Sequence, residues 1–517
     1  MIRANKIAPA THRNRDLRWP LADVVVTHSY HLAYDPKQLR KMQPYMPLAT
    51  LYAATALRDA GLSVAVFDVM LAEPSLGLAK LLAAERPKVV VVYEDDFNFL
   101  SKMCLTRMRG VAWMMAAAAR AAGAITVAHG SDSTDNPLLF LQNGFDYVCC
   151  GEAEEALVRL CSAILSADAI PEIDGLAQLD GQGNLMRSPQ RLAKNPAWAE
   201  LSFPARDLIN LEPYRQAWVD AHGYFSVNMV SSRGCPYHCN WCAKPISGNK
   251  FQLRAAAAVA EEMKWLRDNA GAQHIWFGDD IFALGRNWVR QFAEEVIKKD
   301  AAVPFKIQSR ANLMTREAVR HLKTAGCVEV WMGVESGSQK ILNAMDKGLS
   351  LPSVVAAREH LREVDIRACY FLQFGYPGET WKELEETVEF VRETRPDDIG
   401  VSISYPLPGT VFYERVRSEL GRKRNWIDSD DLCIMFKGAY TTDFYRAVRD
   451  ALHAEVDYWS RSVNRDAKTE VDAMWGKVHA MEPTSRQPDA FASIGIADPN
   501  SPGAFVPVEE LTSLRSA

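Results

Sequence analysis

A chain of 517 residues is too long for one ordinary domain and suits two or three. Its 48% hydrophobic and 24% charged content is that of a soluble globular protein. The net charge of −5, with no basic stripe interleaved with aromatics, speaks against a nucleic-acid partner. Residues 1–20 form a basic arm with Arg3, Lys6, Arg13, Arg15 and Arg18 but no apolar run, which argues against a secretory signal. The longest apolar stretch, Val111 to Ala119, is too short for a membrane span and reads as a buried helix. Ten cysteines are too sparse for a disulfide scaffold and point to metal or redox chemistry, with the cytoplasm as the expected location.

In residues 21–165, short apolar runs alternate with helical patterns. Strands are predicted at Asp23–Thr27, Ser63–Phe67, Val89–Tyr93, Ile125–Ala128 and Tyr147–Cys149. Helices are predicted at Leu48–Ala60, Leu76–Glu85, Leu105–Ala122 and Glu154–Leu165. Such alternation implies crossovers and a doubly wound parallel sheet, which binds ligands at the carboxyl ends of its strands. Residues 166–224 read as a connector, with a hairpin at Ile173–Arg187 turning at Asp180-Gly181-Gln182-Gly183.

A second alternation fills residues 225–410, with strands at Phe225–Val230, His274–Phe277, Phe305–Gln308, Val328–Met332, Ala368–Gln373 and Ile399–Ser404. Six βα units fall short of a closed eightfold barrel, so a partial (β/α)6 barrel is expected. Residues 411–480 read as a helical C-terminal region. The segment 481–517, rich in Pro, Ser, Gly and Ala, reads as a disordered tail. The fold class is therefore α/β.

Directly after the first barrel strand comes Arg233-Gly234-Cys235-Pro236-Tyr237-His238-Cys239-Asn240-Trp241-Cys242. Three core cysteines on one helix face would fit the C-x3-C-x2-C spacing, but Gly234 and Pro236 disfavour a continuous helix. A zinc site would need a fourth ligand, and only His238 is close. Iron–sulfur clusters are held by thiolates, and three thiolates leave one iron of a cubane with an open position. The other seven cysteines, Cys104, Cys149, Cys150, Cys161, Cys327, Cys369 and Cys433, lie in apolar surroundings and read as small core residues.

With Trp241 in the aromatic position, this loop resembles the signature of the radical S-adenosylmethionine superfamily. The resemblance implies a [4Fe–4S] cluster on Cys235, Cys239 and Cys242. It also implies chelation of the free iron by S-adenosylmethionine and reductive cleavage to a 5′-deoxyadenosyl radical. The strand ends extend the likeness: Phe277-Gly278-Asp279-Asp280, Ser309-Arg310-Ala311-Asn312, Gly333-Val334-Glu335-Ser336-Gly337 and Gly375-Tyr376-Pro377-Gly378-Glu379-Thr380. Each could be a turn or cap, but capping calls for neither an arginine nor a charge pair on one rim. By resemblance, Asp279 or Asp280 meets the cofactor's ammonium, and Arg310 and Glu335 meet its carboxylate and ribose. Trp241, Ser309, Ser336 and Gly375 line the same cofactor.

These phrases are similar to the branch of the superfamily whose members place a cobalamin-binding domain ahead of the barrel. Pro47-Leu48-Ala49 through Gly61 and Phe145-Asp146-Tyr147 through Gly151-Glu152-Ala153-Glu154 match the start and end of such domains. The resemblance implies cobalamin, without a histidine lower ligand because no D-x-H-x-x-G motif is present. Two departures stand out: Ala128-His129-Gly130-Ser131 after the fourth strand, and the acidic Glu94-Asp95-Asp96 beside a phosphate-bearing ligand. The branch implies methylation of an unactivated carbon or phosphorus in a small molecule, with an external electron donor such as flavodoxin or ferredoxin. An alternative is an oxidative cyclase of the magnesium-protoporphyrin monomethyl ester type, which the phrase Asn425-Trp426-Ile427-Asp428-Ser429-Asp430-Asp431 resembles. A non-catalytic iron–sulfur electron carrier is the alternative from another class.

Overall fold

The computed structural model describes residues 21–189, 202–285, 287–460 and 465–486. The basic arm 1–20 and the tail from 487 onward lie outside the described residues. Strands β1 (Val24–Thr27), β2 (Val64–Phe67), β3 (Val89–Tyr93), β4 (Ile125–His129) and β5 (Tyr147–Cys149) pair in parallel in the order β2-β1-β3-β4-β5. β3 reads Val-Val-Val-Val-Tyr and is buried throughout, as a strand covered by helices on both faces must be. The order reverses between β1 and β3, which makes the loops after these strands the natural ligand edge.

The hairpin expected in the connector exists, as β6 (Leu176–Leu179) and β7 (Leu185–Arg187), but it is not a free-standing linker. β6 pairs antiparallel with β5, so the hairpin extends the first sheet to seven strands. Ala177 and Leu176 are buried in the two cores of that sheet, which is what recruits the hairpin.

The second sheet has β8 (Ser226–Met229), β11 (His274–Phe277), β12 (Phe305–Ser309), β13 (Cys327–Glu335), β14 (Arg367–Phe374) and β15 (Asp398–Ile403), all parallel and in chain order. Its two faces differ. Ile275, Phe305, Ile307, Val330, Met332 and Tyr370 are fully buried in the largest core cluster. The alternate residues Trp276, Lys306, Gln308, Trp331, Phe371, Gly400 and Ser402 are only half-buried. Because side chains alternate with a period of two, these line the opposite face, the hollow of the half-barrel. Between β8 and β11, a short antiparallel ladder forms from β9 (Ser232–Gly234) and β10 (Phe251–Leu253).

The C-terminal region is helical as expected, at Val411–Val416, Thr442–Ser460 and Arg465–Ser485, with two differences in detail. Residues 420–441 carry no helix; their Trp426, Ile434, Met435 and Phe436 are buried against the barrel as an irregular strap. The helix Arg465–Ser485 runs past Met481, so the first five residues assigned to a disordered tail are helical. Glu482 ties them down by accepting from the Tyr440 hydroxyl (2.5 Å) and from Arg486 (2.7 Å). No helix among the described residues is long and apolar enough to cross a membrane.

Candidate functional site

The cysteine loop is fastened at its base by the β9–β10 ladder, in which Gly234 faces Phe251. Gly234 has φ +81°, and a Cβ there would overlap the carbonyl oxygen of Lys250, so only glycine closes this turn without strain. Inside the loop, Lys244 Nζ donates to the carbonyl of Cys235 (3.2 Å), to that of Tyr237 and to Asn249 Oδ1 (2.6 Å). Asn240 fixes the far side of the loop. Its side chain donates to the Ala344 carbonyl and to Asp346 Oδ2, both at 2.8 Å, and accepts from the Tyr376 hydroxyl at 2.8 Å. Asn240 and Lys244 were not among the sequence-based site residues; their only signal was a polar side chain inside or beside a cysteine motif.

Cys235, Cys239 and Cys242 are the half-exposed members of the ten cysteines, and the other seven are buried. Burial raises the pKa of Cys235, and burial together with Asp280 pushes Cys242 up to about 12. Arg310 Nη1 lies 3.7 Å from the Cys239 sulfur. Among the described residues no three His, Cys, Asp or Glu side chains converge as a single metal ion would require. A cubane takes each thiolate at a different iron, so a trio spread along one braced loop fits an iron–sulfur cluster better than zinc.

The strand ends surround this loop. Asp279 is buried and taken by the fold: Ser231 N (3.0 Å), Ser231 Oγ (2.6 Å) and Ser232 Oγ (2.5 Å) all donate to it. Asp280 instead turns toward the cysteines and pairs with Lys102, which comes from the helix Phe99–Lys102 of the first sheet's domain. Arg310 stacks over the Tyr237 ring at 3.9 Å and donates to the backbone carbonyls of Lys347 and Gly348. Glu335 sits at φ +67°, where the pairing of β13 with β14 slips at Gly333/Glu335, and Lys347 Nζ lies 2.6 Å from its Oε1. Lys347 also faces the Trp241 ring at 5.9 Å, so it links Glu335, Arg310 and Trp241; the sequence reading missed it.

Three further positions have structural partners. Ser309 donates to the Phe282 carbonyl (2.7 Å), Ser336 is bonded to Thr387 (3.1 Å), and the Gly375 amide donates to Glu379 Oε2 (2.5 Å). Gly375 has φ +78°, and a Cβ there would stand 2.8 Å from Ile434.

At the first sheet's ligand edge, the acidic run after β3 is consumed internally. Glu94 accepts from the Ser29 amide (3.2 Å), and Asp95 accepts from the Ala49 amide (3.0 Å) at the start of the helix Leu48–Asp59. Asp96 Oδ2 lies 2.7 Å from His129 Nε2, while His129 Nδ1 lies 2.9 Å from the Cys149 carbonyl. Burial works against the His129 imidazolium, but Asp96 outweighs it and raises the pKa. With both ring nitrogens engaged, His129 has none left for a metal. Asp132 takes both arms of Arg109 at 2.7 Å.

What remains at this edge is a set of buried polar atoms without partners among the described residues: Asp96 Oδ1, Asn98 Nδ2, Ser101 Oγ and Ser131 Oγ. A cleft of about 420 Å³, counting space open to solvent, runs from Asp96 and Ser131 to Arg233, Lys244 and Asp280 beside the cysteines. Asp96 and Ser131 line this cleft, and their orphaned oxygens fit a polar group held between the two sheets.

Residues 229–391 match the sequence model of the Radical SAM superfamily. A protein named as an uncharacterized methyltransferase from Pyrococcus horikoshii is 26% identical over 54% of this chain and 60% of its own length. An anaerobic magnesium-protoporphyrin IX monomethyl ester cyclase from Cereibacter sphaeroides is 26% identical over 53% of this chain and 45% of its own. The chain thus spans about half the length of the curated relatives it matches. Among solved structures, the radical S-adenosylmethionine methyltransferase TsrM from Kitasatospora setae, with cobalamin and a [4Fe–4S] cluster bound, superposes with a TM-score of 0.64 at 20% identity. That match covers 77% of this chain and 75% of the other, and shows a shared fold.

Proposed function

We propose that this enzyme, a member of the radical S-adenosylmethionine superfamily through residues 229–391, is a cobalamin-dependent radical methyltransferase acting on an unactivated carbon or phosphorus of a small molecule. The observation that carries the reading is the braced loop with three half-exposed cysteines, flanked by Arg310 from the barrel and Lys102 from the first sheet's domain. Cys235, Cys239 and Cys242 would hold the cluster, with Asp280, Arg310, Glu335 and Trp241 around its open side. When bound, the cluster and S-adenosylmethionine supply a carbon-centred radical and the corrinoid supplies a methyl group.

The chain's own residues orient and shield. Asn240 and Lys244 brace the loop, Lys347 pairs with Glu335 at the rim, and the strap 420–441 packs Trp426, Ile434 and Phe436 against the barrel. The polar edge at Asp96, Ser101 and Ser131 would hold the corrinoid without a histidine lower ligand, since His129 is engaged on both nitrogens. An external donor such as a flavodoxin or ferredoxin would supply the electron.

A second reading, oxidative ring closure, draws on the segment Asn425–Asp431, which resembles the cyclase group. In the structure the segment is tied to the start of the helix Thr106–Ala121: the amides of Thr106 and Arg107 donate to the carbonyls of Trp426 (2.9 Å) and Ile427 (3.3 Å).

The test is anaerobic reconstitution. Parent protein should bind iron and sulfide, show a corrinoid absorption band after loading with cobalamin, and form 5′-deoxyadenosine with a strong reductant. Alanine at Cys235, Cys239 and Cys242 should abolish iron and sulfide retention; full retention would sink the reading. Mass analysis of product separates the two reactions, by a gain of methyl or a loss of hydrogen.

A further inference from the structure

The hollow face of the six-stranded sheet carries a chemical pattern that the cysteine site does not use. Near the amino ends of its strands, Lys306 projects from β12 into the hollow, its Nζ 4.0 Å from the Trp276 ring centroid. It forms no ion pair or hydrogen bond among the described residues. The nearby carboxylate of Glu329 is already taken, by Trp331 Nε1 (2.7 Å) and Arg367 (2.9 Å). Burial and the neighbouring Lys41 lower the Lys306 pKa to about 8, while Glu329 and Asp398 oppose the shift. Apart from the face of the Trp276 ring, this ammonium has no direct partner among the described residues, which leaves it able to take an anionic group.

One layer higher, Trp331 and Phe371 stack with ring centroids 4.8 Å apart and planes 28° apart. Gly400 on β15 lies across from them, and a Cβ there would come within 3.1 Å of Phe371 and 3.4 Å of Trp331. The missing side chain at position 400 lets the two rings lie down against β15, and both rings stay half-buried at the hollow. Higher still, Gln373 and Ser404 share this face, since Gln373 pairs with Ser402. Gln373 is 4% exposed and Ser404 0%, and Gln373 Oε1 and Ser404 Oγ have no hydrogen-bond partner among the described residues. Arg310, four residues beyond Lys306 on the same strand face, stands about 13 Å further toward the cysteine loop at roughly 3.3 Å per residue.

We infer that the substrate is an organic anion with a flat aromatic portion, its acidic group at Lys306, its ring on the Trp331–Phe371 platform and its reacting end toward Gln373 and the cysteine loop. This rests on the functional reading above and adds the substrate class. A lone ammonium selects a carboxylate or other anion, a stacked aromatic pair selects a planar ring, and unpartnered Gln and Ser atoms select a polar end.

Calorimetric titration of anaerobically reconstituted holoprotein tests this with 2-naphthoate against uncharged 2-naphthamide. The acid should bind about tenfold tighter than the amide, the size of one charge-assisted contact. Lys306→Met should erase that preference and leave amide binding in place, and Gly400→Val should weaken both. Should Gly400→Val fail to fold, Phe371→Leu should weaken both instead. Equal binding of acid and amide, no binding of either, or a preference that survives Lys306→Met overturns the inference. Iron and sulfide are measured on the same samples: a parent that holds the cluster but ignores naphthoate sinks only the substrate class. A parent that holds no cluster sinks the radical reading whatever naphthoate does.

Discussion

Lys347 Nζ lies 2.6 Å from Glu335 Oε1, and both side chains are almost fully buried. Gly333 makes the contact possible, because a Cβ at that position would sit 2.7 Å from the carboxylate and 2.8 Å from the ammonium. Lys347→Met leaves Glu335 buried and unpaired, and should destabilise the protein by about 3 kcal/mol. The double variant with Glu335→Gln should recover much of that loss. Thermal unfolding of the single and double variants checks it, and equal loss in both would refute the pairing.

Gly234→Ala tests the loop without touching a cysteine. The left-handed backbone costs about 1–2 kcal/mol for a residue with a Cβ, and the Lys250 carbonyl must also move. Iron retention on dilution should fall several-fold while far-UV circular dichroism stays that of the parent. Unchanged iron retention would mean that the β9–β10 ladder does not set the thiol geometry.

Glu379 has a sign that can be worked out. Burial raises its carboxyl to about 8, from an ordinary value near 4.3. A native pKa above the unfolded one contributes stability that is full below about pH 4.3 and is lost as pH rises toward 8. Glu379→Gln keeps an acceptor for the Gly375 amide but removes the titration. The variant's unfolding midpoint should therefore rise relative to the parent between pH 5 and 8 and level off above. A constant difference across that range would contradict a buried neutral acid.

Lys102 and Asp280 join the first sheet's domain to the barrel beside Cys242. Both are partly exposed, so Lys102→Met should cost only about 1–2 kcal/mol in unfolding free energy. Its larger effect should be local, with faster amide hydrogen exchange in the helix Phe99–Lys102 and in the residues following Phe277. Exchange confined to one side of the seam would show that the pair does not couple the two sheets.

Periodicity and spacing along the chain determined most of the architecture. Eleven expected strands lie within a few residues of their places: β3 reads as a continuous apolar run because both its faces are buried, and β12 as an alternation because only one is. The C-x3-C-x2-C spacing marked the cysteine loop for the same local reason: a loop ligand set is written in consecutive residues. What the tertiary structure decided is how distant groups share their charges and bonds. The separation of Asp279, held by Ser231 and Ser232, from Asp280, facing Lys102, depends on contacts 47 to 178 residues apart in sequence. The inward turn of Glu94-Asp95-Asp96, the capture of the 176–187 hairpin by the first sheet and the bracing of Glu335 by Lys347 are equally non-local. Sequence period says which face a side chain lies on; only the packed fold says which partner waits there, because a buried charge takes its meaning from whatever neutralises it.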